Sequence, residues 1–252
     1  MNPAHLTRLR ERRPQIGTWL SVGSPVVAEV AALSGFDWLL IDLEHGSYSE
    51  AAVLPQLQAL NGSPSAGIVR VGAPHPDLIA RVLDWGAEGL MVPHVSSAAE
   101  AEACVRAMRY APRGDRGLSR TVRAYGYGLQ PPDPAAPNDP VFFAQIETLA
   151  AVESASAIAA VAGVDILFIG PADLRWDLAA QANAKTFEAC LSEVVAAAQN
   201  AGKSSGILVR DVAEAHIMQA LGFTHIAIDS DLAILRNAYR QILSAAIPAK
   251  RT

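Results

Sequence analysis

Residues 141–173 read VFFAQIETLAAVESASAIAAVAGVDILFIGPAD, and the stretch divides into three parts. Val141–Ile146 is a short, almost continuous apolar run. Thr148–Val161 is Ala-rich, carries apolar residues at helical spacing and opens on Thr, a residue type that caps helices well. Ile166–Ile169 is a second apolar run. Strand, helix and strand within about thirty residues make the βαβ unit, which lays two parallel strands side by side. Neither run alternates polar with apolar, as expected for strands covered on both faces.

The same unit recurs along the chain in both directions. Further strands are predicted at 16–20, 38–42, 67–71, 89–92, 206–209 and 225–229. Helices are predicted at 25–34, 49–60, 76–85, 97–110, 185–201, 211–221 and 231–246. Several helices stop at a glycine: Gly35, Gly62, Gly86, Gly202 or Gly222. Eight strands alternating with eight helices is the count of a closed (β/α)8 (TIM) barrel of the α/β class, here as a single domain over residues 1–252. A doubly wound open sheet is the alternative. No GxGxxG or GxxxxGK[ST] motif follows the first strand, which removes the main reason to prefer it.

Composition agrees. Of 252 residues, 51% are hydrophobic and 18% charged, enough apolar material for a large core. The net charge of −5 and the lack of any Lys/Arg run argue against nucleic acid as a partner. Met1 to Pro14 is polar and Arg-rich, unlike a signal peptide, and no apolar stretch is long enough to span a bilayer. Cys104 and Cys190 read as two separate buried thiols in a reducing cytoplasm. One connection is long: Ala111 to Pro140 carries Pro112, Pro131, Pro132, Pro134, Pro137 and Pro140 with Arg113, Arg116, Arg120 and Arg123. A surface excursion and a lid or subunit contact are equally consistent with it.

A barrel of this kind works at the C-terminal ends of its strands. Polar residues fall there strand by strand: Trp19; Asp42, Glu44 and His45; Arg70; His94; Gln145 and Glu147; Gly170 to Asp173; Arg210; Asp229 and Asp231. Glu147 and Asp173 follow adjacent strands. Two carboxylates with open positions suit Mg²⁺ or Mn²⁺, although both residues could equally cap local turns and helices. Arg70 in the mouth requires an anion, either a neighbouring carboxylate (Asp42 or Glu44) or a ligand. His45 beside two carboxylates could serve as a base oriented by Asp42, or as an ordinary loop histidine. His94 has a weaker case of the same kind; His5, His75, His216 and His225 read as structural or surface. Only Lys185, Lys203 and Lys250 exist, and none lies inside a predicted strand. Catalysis through an imine needs a buried lysine aimed at the substrate carbonyl, and none of the three is placed to serve.

The strings GTWL (17–20), FDWLLIDLEH (36–45), VR (69–70), QIET (145–148) and FIGPADL (168–174) together resemble the class II pyruvate aldolases of the HpcH/HpaI aldolase/citrate lyase family. The resemblance runs in order from about Arg13 to Ala246. It implies reversible cleavage of a 4-hydroxy-2-oxo acid to pyruvate, or a related 2-oxo acid, and an aldehyde. It implies a divalent cation on Glu147 and Asp173, Mg²⁺ or Mn²⁺ with Co²⁺ as a further candidate. It places the substrate carboxylate on backbone N–H groups around Ala172 and Asp173, after a Gly170-Pro171 turn that opens a helix and lines the substrate site, with Gln145 supporting the metal. Arg70 would hold the keto oxygen, and His45, with Asp42, would move the proton. Trp19 and Leu208 would wall the pocket. It also implies a homo-oligomer, trimer or hexamer, in which Asp84 comes from a neighbouring copy. Leu43 stands where relatives often have Gly, so the acceptor aldehyde stays open. The nearest rival is a lyase for hydroxyacyl-CoA thioesters, with the loop arginines as a diphosphate site; a metabolite-binding barrel is the non-enzyme rival.

Overall fold

The structure of the chain, a computed structural model, describes residues 1–133, 138–182 and 185–247. Pro134, Pro137 and Lys250, named above, lie outside the described residues. Among those described, the strands β1 (Gln15–Leu20), β2 (Trp38–Asp42), β3 (Ala66–Arg70), β4 (Gly89–Val92), β5 (Val141–Ile146), β6 (Ile166–Ile169), β7 (Ser204–Val209) and β8 (His225–Ser230) close into one barrel in chain order. All pairings are parallel, and β8 returns to β1 with Ile16 opposite Ile226. β7 begins two residues earlier than predicted, because Ser204 and Ser205 are buried and take up the ladder despite being polar.

The helices are α1 (Pro3–Arg10), α2 (Pro25–Leu33), α3 (Val53–Ala59), α4 (Pro76–Asp84), α5 (Ala98–Met108), α6 (Leu149–Glu153), α7 (Ala155–Ala160), α8 (Pro171–Ala179), α9 (Phe187–Asn200), α10 (Val212–Ala220) and α11 (Asp231–Ala246). The predicted 148–161 helix breaks into α6 and α7 at Ser154, and a 3₁₀ turn at Glu50–Ala52 precedes α3. Two helices were not predicted. α8 opens at Gly170-Pro171, and α1 closes the N-terminal end of the barrel. Leu6 and Leu9 of α1 enter the interior core, His5 Nδ1 lies 2.9 Å from Glu88 Oε2, and the Gln15 amide donates to the Arg8 carbonyl.

Side chains point alternately into and out of a barrel strand. Inward residues Trp19, Trp38, Leu40, Ile68, Met91, Phe143 and Phe168 fill the interior, and the Trp19 and Trp38 rings both pack on Phe168. Gly17 keeps the interior closed, since a Cβ there would collide with the Trp38 ring. Outward residues such as Leu39, Val69, Phe142, Leu167 and Ile207 are buried under the helices. Ile16 and Ile228, either side of the β8–β1 seam, are only partly buried. The cause is α11: its only buried residue is Asp231, whose carboxylate accepts from Ser21 and Val22 N–H. Beyond it Tyr239, Ile242 and Leu243 are exposed, as are Val26, Val30 and Leu33 on α2.

The long connection joins α5 to β5, so its described residues leave and return at the N-terminal end and do not cover the mouth. That overturns the lid. Three of its four arginines are committed there, with Arg120 left exposed: Arg113 pairs with Asp139, Arg116 with Asp84, and Arg123 donates to the carbonyls of Trp85 and Leu57. The last two carbonyls end α4 and α3, where a cation is favoured by the helix dipole. No helix among the described residues is long and apolar enough to cross a membrane. Cys104 and Cys190 are free and buried.

Candidate active site

Inward alternation carries each strand's polar end into the mouth: Trp38, Leu40, Asp42 on β2; Ala66, Ile68, Arg70 on β3; Phe143, Gln145, Glu147 at β5. Asp42 and Arg70 lie opposite each other in register. Arg70 Nε and Nη2 donate to the two Asp42 oxygens, each at 2.8 Å, and Nη1 lies 2.7 Å from Glu44 Oε2. The Glu44 contact is an ion pair by distance whose angle falls short of a hydrogen bond, so Oε2 is left without a donor. Arg70 is 5% exposed, with its guanidinium 5.6 Å above the Trp19 ring. Burial opposes its charge, but Asp42, Glu44 and Glu147 outweigh burial and hold the proton more firmly than on a free arginine.

Asp42 is spent differently from the sequence expectation. Its Oδ1 also accepts the backbone N–H groups of Glu44 and His45, while the His45 ring is exposed and makes no hydrogen bond among the described residues. Arg70 faces Asp42 across one ladder rung and takes both its oxygens, so Asp42 fixes the His45 backbone and not its imidazole.

Glu147 is 1% exposed. Gln145 Nε2 donates to its Oε1, and the His94 backbone N–H donates to Oε2 at 2.9 Å. Gly170 belongs here by close approach, since a Cβ would strike Glu147 Oε1. Burial pushes the Glu147 carboxyl above the usual carboxylate range; His94 opposes this, and the charges of Glu44 and Asp173 add to it. The His94 ring is the contact that sequence reasoning undervalued: Nδ1 lies 3.1 Å from Glu147 Oε2 and Nε2 3.5 Å from Glu44 Oε1. Its φ of 57°, rare for a non-glycine residue, aims it there and has no mark in the sequence.

Asp173 is exposed in the first turn of α8. Gly170 caps that helix without any side-chain hydrogen bond, and the Ala172 and Asp173 N–H groups have no partner among the described residues. Leu208 packs partly buried on the interior core. Asp84 ends α4 at the other end of the barrel, bound to Arg116 at 2.6 Å, so it is absent from the mouth of its own chain. Lys203 lies at that same end, and Lys185 pairs with Glu193 on the surface. A cavity of about 600 Å³ also opens there, but its charged groups are already matched, His5 to Glu88 and Arg123 to carbonyls. The mouth, not that cavity, holds the reactive groups.

Residues 15–238 match the HpcH/HpaI aldolase/citrate lyase family. The chain belongs to that family. It is 41% identical over 251 residues to a hydroxypyruvate/pyruvate aldolase of Paraburkholderia phytofirmans, covering 94% of this chain and 95% of that one. It is 38% identical over 240 residues to a 5-keto-4-deoxy-D-glucarate aldolase of Klebsiella pneumoniae, covering 94% of each. The crystal structure of a HpcH/HpaI aldolase/citrate lyase family protein from Burkholderia cenocepacia superposes with a TM-score of 0.90 at 35% identity, over 97% of this chain and 99% of that one. As a HpcH/HpaI member the chain is a carbon–carbon lyase of the aldolase kind, which removes the non-enzyme reading.

A divalent cation suits the donor set. Glu147 is a buried carboxylate whose charge burial disfavours, and the adjacent Gln145 Oε1 is buried with no donor. Among the described residues no group of three or more His, Cys, Asp or Glu side chains is placed to hold an ion. An ion held by Glu147 and Asp173 alone would keep open positions, the pattern of Mg²⁺ and Mn²⁺.

Proposed function

We propose that the chain, acting as one barrel domain in the cytoplasm, is a divalent-cation-dependent aldolase. It cleaves 4-hydroxy-2-oxo acids reversibly to pyruvate, or a related 2-oxo acid, and an aldehyde. The observation that carries this is the buried Glu147 carboxylate beside the uncapped N-terminus of α8, with Arg70 locked across the mouth. Glu147 and Asp173 would hold Mg²⁺, Mn²⁺ or Co²⁺, whose Lewis acidity polarises a chelating 2-oxo acid. Ala172 and Asp173 N–H groups, at the positive end of α8, receive the substrate carboxylate.

Arg70 donates two of its five N–H groups to Asp42 and meets Glu44 only as an ion pair, which leaves N–H groups on Nη1 and Nη2 for the keto oxygen. As the C3–C4 bond breaks, that oxygen gains charge, and a guanidinium that cannot rotate stabilises it without reorganising. His45, exposed at the rim, accepts the C4 hydroxyl proton and the aldehyde leaves. Protonation at C3 then yields pyruvate, and synthesis runs these steps in reverse. Trp19 and Leu208 keep the floor of the site apolar.

The CoA-thioester alternative loses its main support, because Arg113, Arg116 and Arg123 are paired at the far end of the barrel. We also propose a homo-oligomer, a trimer or hexamer. A second copy would cover α11 and the β8–β1 seam, and Asp84 could reach a mouth only from such a copy. The deciding experiment is an aldol screen crossing several 2-oxo acids with a panel of aldehydes. Product that disappears with EDTA and returns with Mg²⁺ or Mn²⁺ supports the reading. No carbon–carbon bond formation with any pair, alongside turnover of malyl-CoA, would replace it.

A further inference from the structure

Arg210, just past the end of β7, and Asp229, one residue before the end of β8, are two charged residues that the proposed chemistry leaves unused. Inward positions run Ser204, Gly206, Leu208 on β7 and His225, Ala227 on β8, where Leu208 pairs with Ala227 and Val209 with Ile228. Arg210 and Asp229 are therefore the next inward rung, at the mouth. Asp229 has φ 55°, a left-handed conformation that Asp tolerates better than most non-glycine residues. The hydroxyl of Thr18 donates to its carbonyl at 3.1 Å. Its side chain is 9% exposed, and its Oδ1 accepts from Arg210 Nη1 at 3.3 Å. The Arg210 side chain is 65% exposed and has no other side-chain partner among the described residues, while its backbone N–H is held by Glu214 on α10.

Asp229 thus tethers one guanidinium nitrogen from the wall and leaves the remaining N–H groups open to the mouth. Arg70, by contrast, is enclosed by Asp42 and Glu44. The α8 N-terminus and Arg70 are assigned to the 2-oxo acid, and the other charged groups Glu44, Glu147 and Asp173 are acidic, which leaves Arg210 as the open guanidinium for a second anionic group on the substrate. A guanidinium fork is matched by carboxylate or phosphate oxygens. We infer that Arg210, tethered by Asp229, selects acceptor aldehydes that carry a carboxylate or phosphate at the end away from the carbonyl. This rests on the aldolase reading and deepens it.

The full chain is assayed with Mg²⁺ and pyruvate on matched acceptors, 4-oxobutanoate against butanal and D-glyceraldehyde 3-phosphate against D-glyceraldehyde. In Arg210→Gln the charged-to-neutral ratio of kcat/KM falls at least tenfold for one or both pairs, mainly through KM, and Arg210→Lys recovers part of it. Which pair responds tells carboxylate from phosphate. A ratio equal to wild type in both pairs overturns the inference, as does an equal loss on charged and neutral acceptors. If the wild type joins no acceptor at all, the aldolase reading fails by itself. Isothermal titration with 4-hydroxybutanoate and with glycerol 3-phosphate then decides: tenfold weaker binding of either by Arg210→Gln supports the inference, and unchanged binding of both ends it.

Discussion

Arg70 and Asp42 sit opposite each other on β3 and β2 and grip each other through two hydrogen bonds of 2.8 Å, with both side chains nearly out of water. Breaking such a pair from one side leaves a buried charge unmatched, which costs about 3–5 kcal/mol. Asp42→Ala is therefore expected to lose stability by about that amount, measured by urea unfolding, and to lose activity as Arg70 turns free. A variant as stable as wild type would mean that the pair contributes nothing.

Arg70→Ala tests the other half. Removing one preorganised donor to a developing oxyanion lowers kcat by on the order of 10²–10³. Binding of Mn²⁺, followed by electron paramagnetic resonance, stays near wild type, because Glu147 and Asp173 remain. Full turnover in this variant would remove Arg70 from the chemistry.

Glu147→Gln and Asp173→Asn are expected to do the reverse. Each keeps the fold and its shape but removes a hard anionic oxygen. Mn²⁺ affinity drops by tenfold or more, and activity at low metal falls with it. Unchanged affinity in both variants would mean that the ion binds elsewhere.

His225 at the base of the barrel sets a pH dependence unrelated to catalysis. It is fully buried, its Nε2 faces the Leu9 carbonyl at 3.0 Å, and burial pushes its imidazole from 6.5 down to about 4. Between those values the unfolded chain binds a proton that the folded chain refuses. Stability is whole above about 6.5 and falls as pH drops towards about 4. The loss is at most about 3 kcal/mol. His225→Asn should flatten this slope in unfolding curves taken across that window; an identical slope would assign the dependence to other groups.

Exposed apolar residues on α11 and α2 predict association. Light scattering should find the chain larger than a monomer, and the double substitution Ile242→Glu, Leu243→Glu should shift it towards monomer with its far-UV circular dichroism unchanged. A monomeric wild type would leave α11 as an uncovered arm.

The chain order of strands and helices was legible from residues 141–173 outward, because helical and strand periods are local and every neighbour that sets them is close in sequence. The same locality made α11 readable to its last residue, 231–246, and the three lysines were enough to set aside imine chemistry. What the sequence left open was who faces whom, including whether Arg70 meets Asp42 and Glu44 or a ligand. That Asp42 takes Arg70 instead of the His45 ring follows from one rung of register between strands 28 residues apart. That His94 reaches Glu147, 53 residues on, follows from a left-handed backbone angle that its residue type does not announce. That the loop arginines turn away from the mouth follows from which end of the barrel an α-to-β connection occupies. Periodicity is a property of short segments and survives in the bare sequence. Pairing at the strand ends exists only once the barrel closes and brings distant residues to one rim.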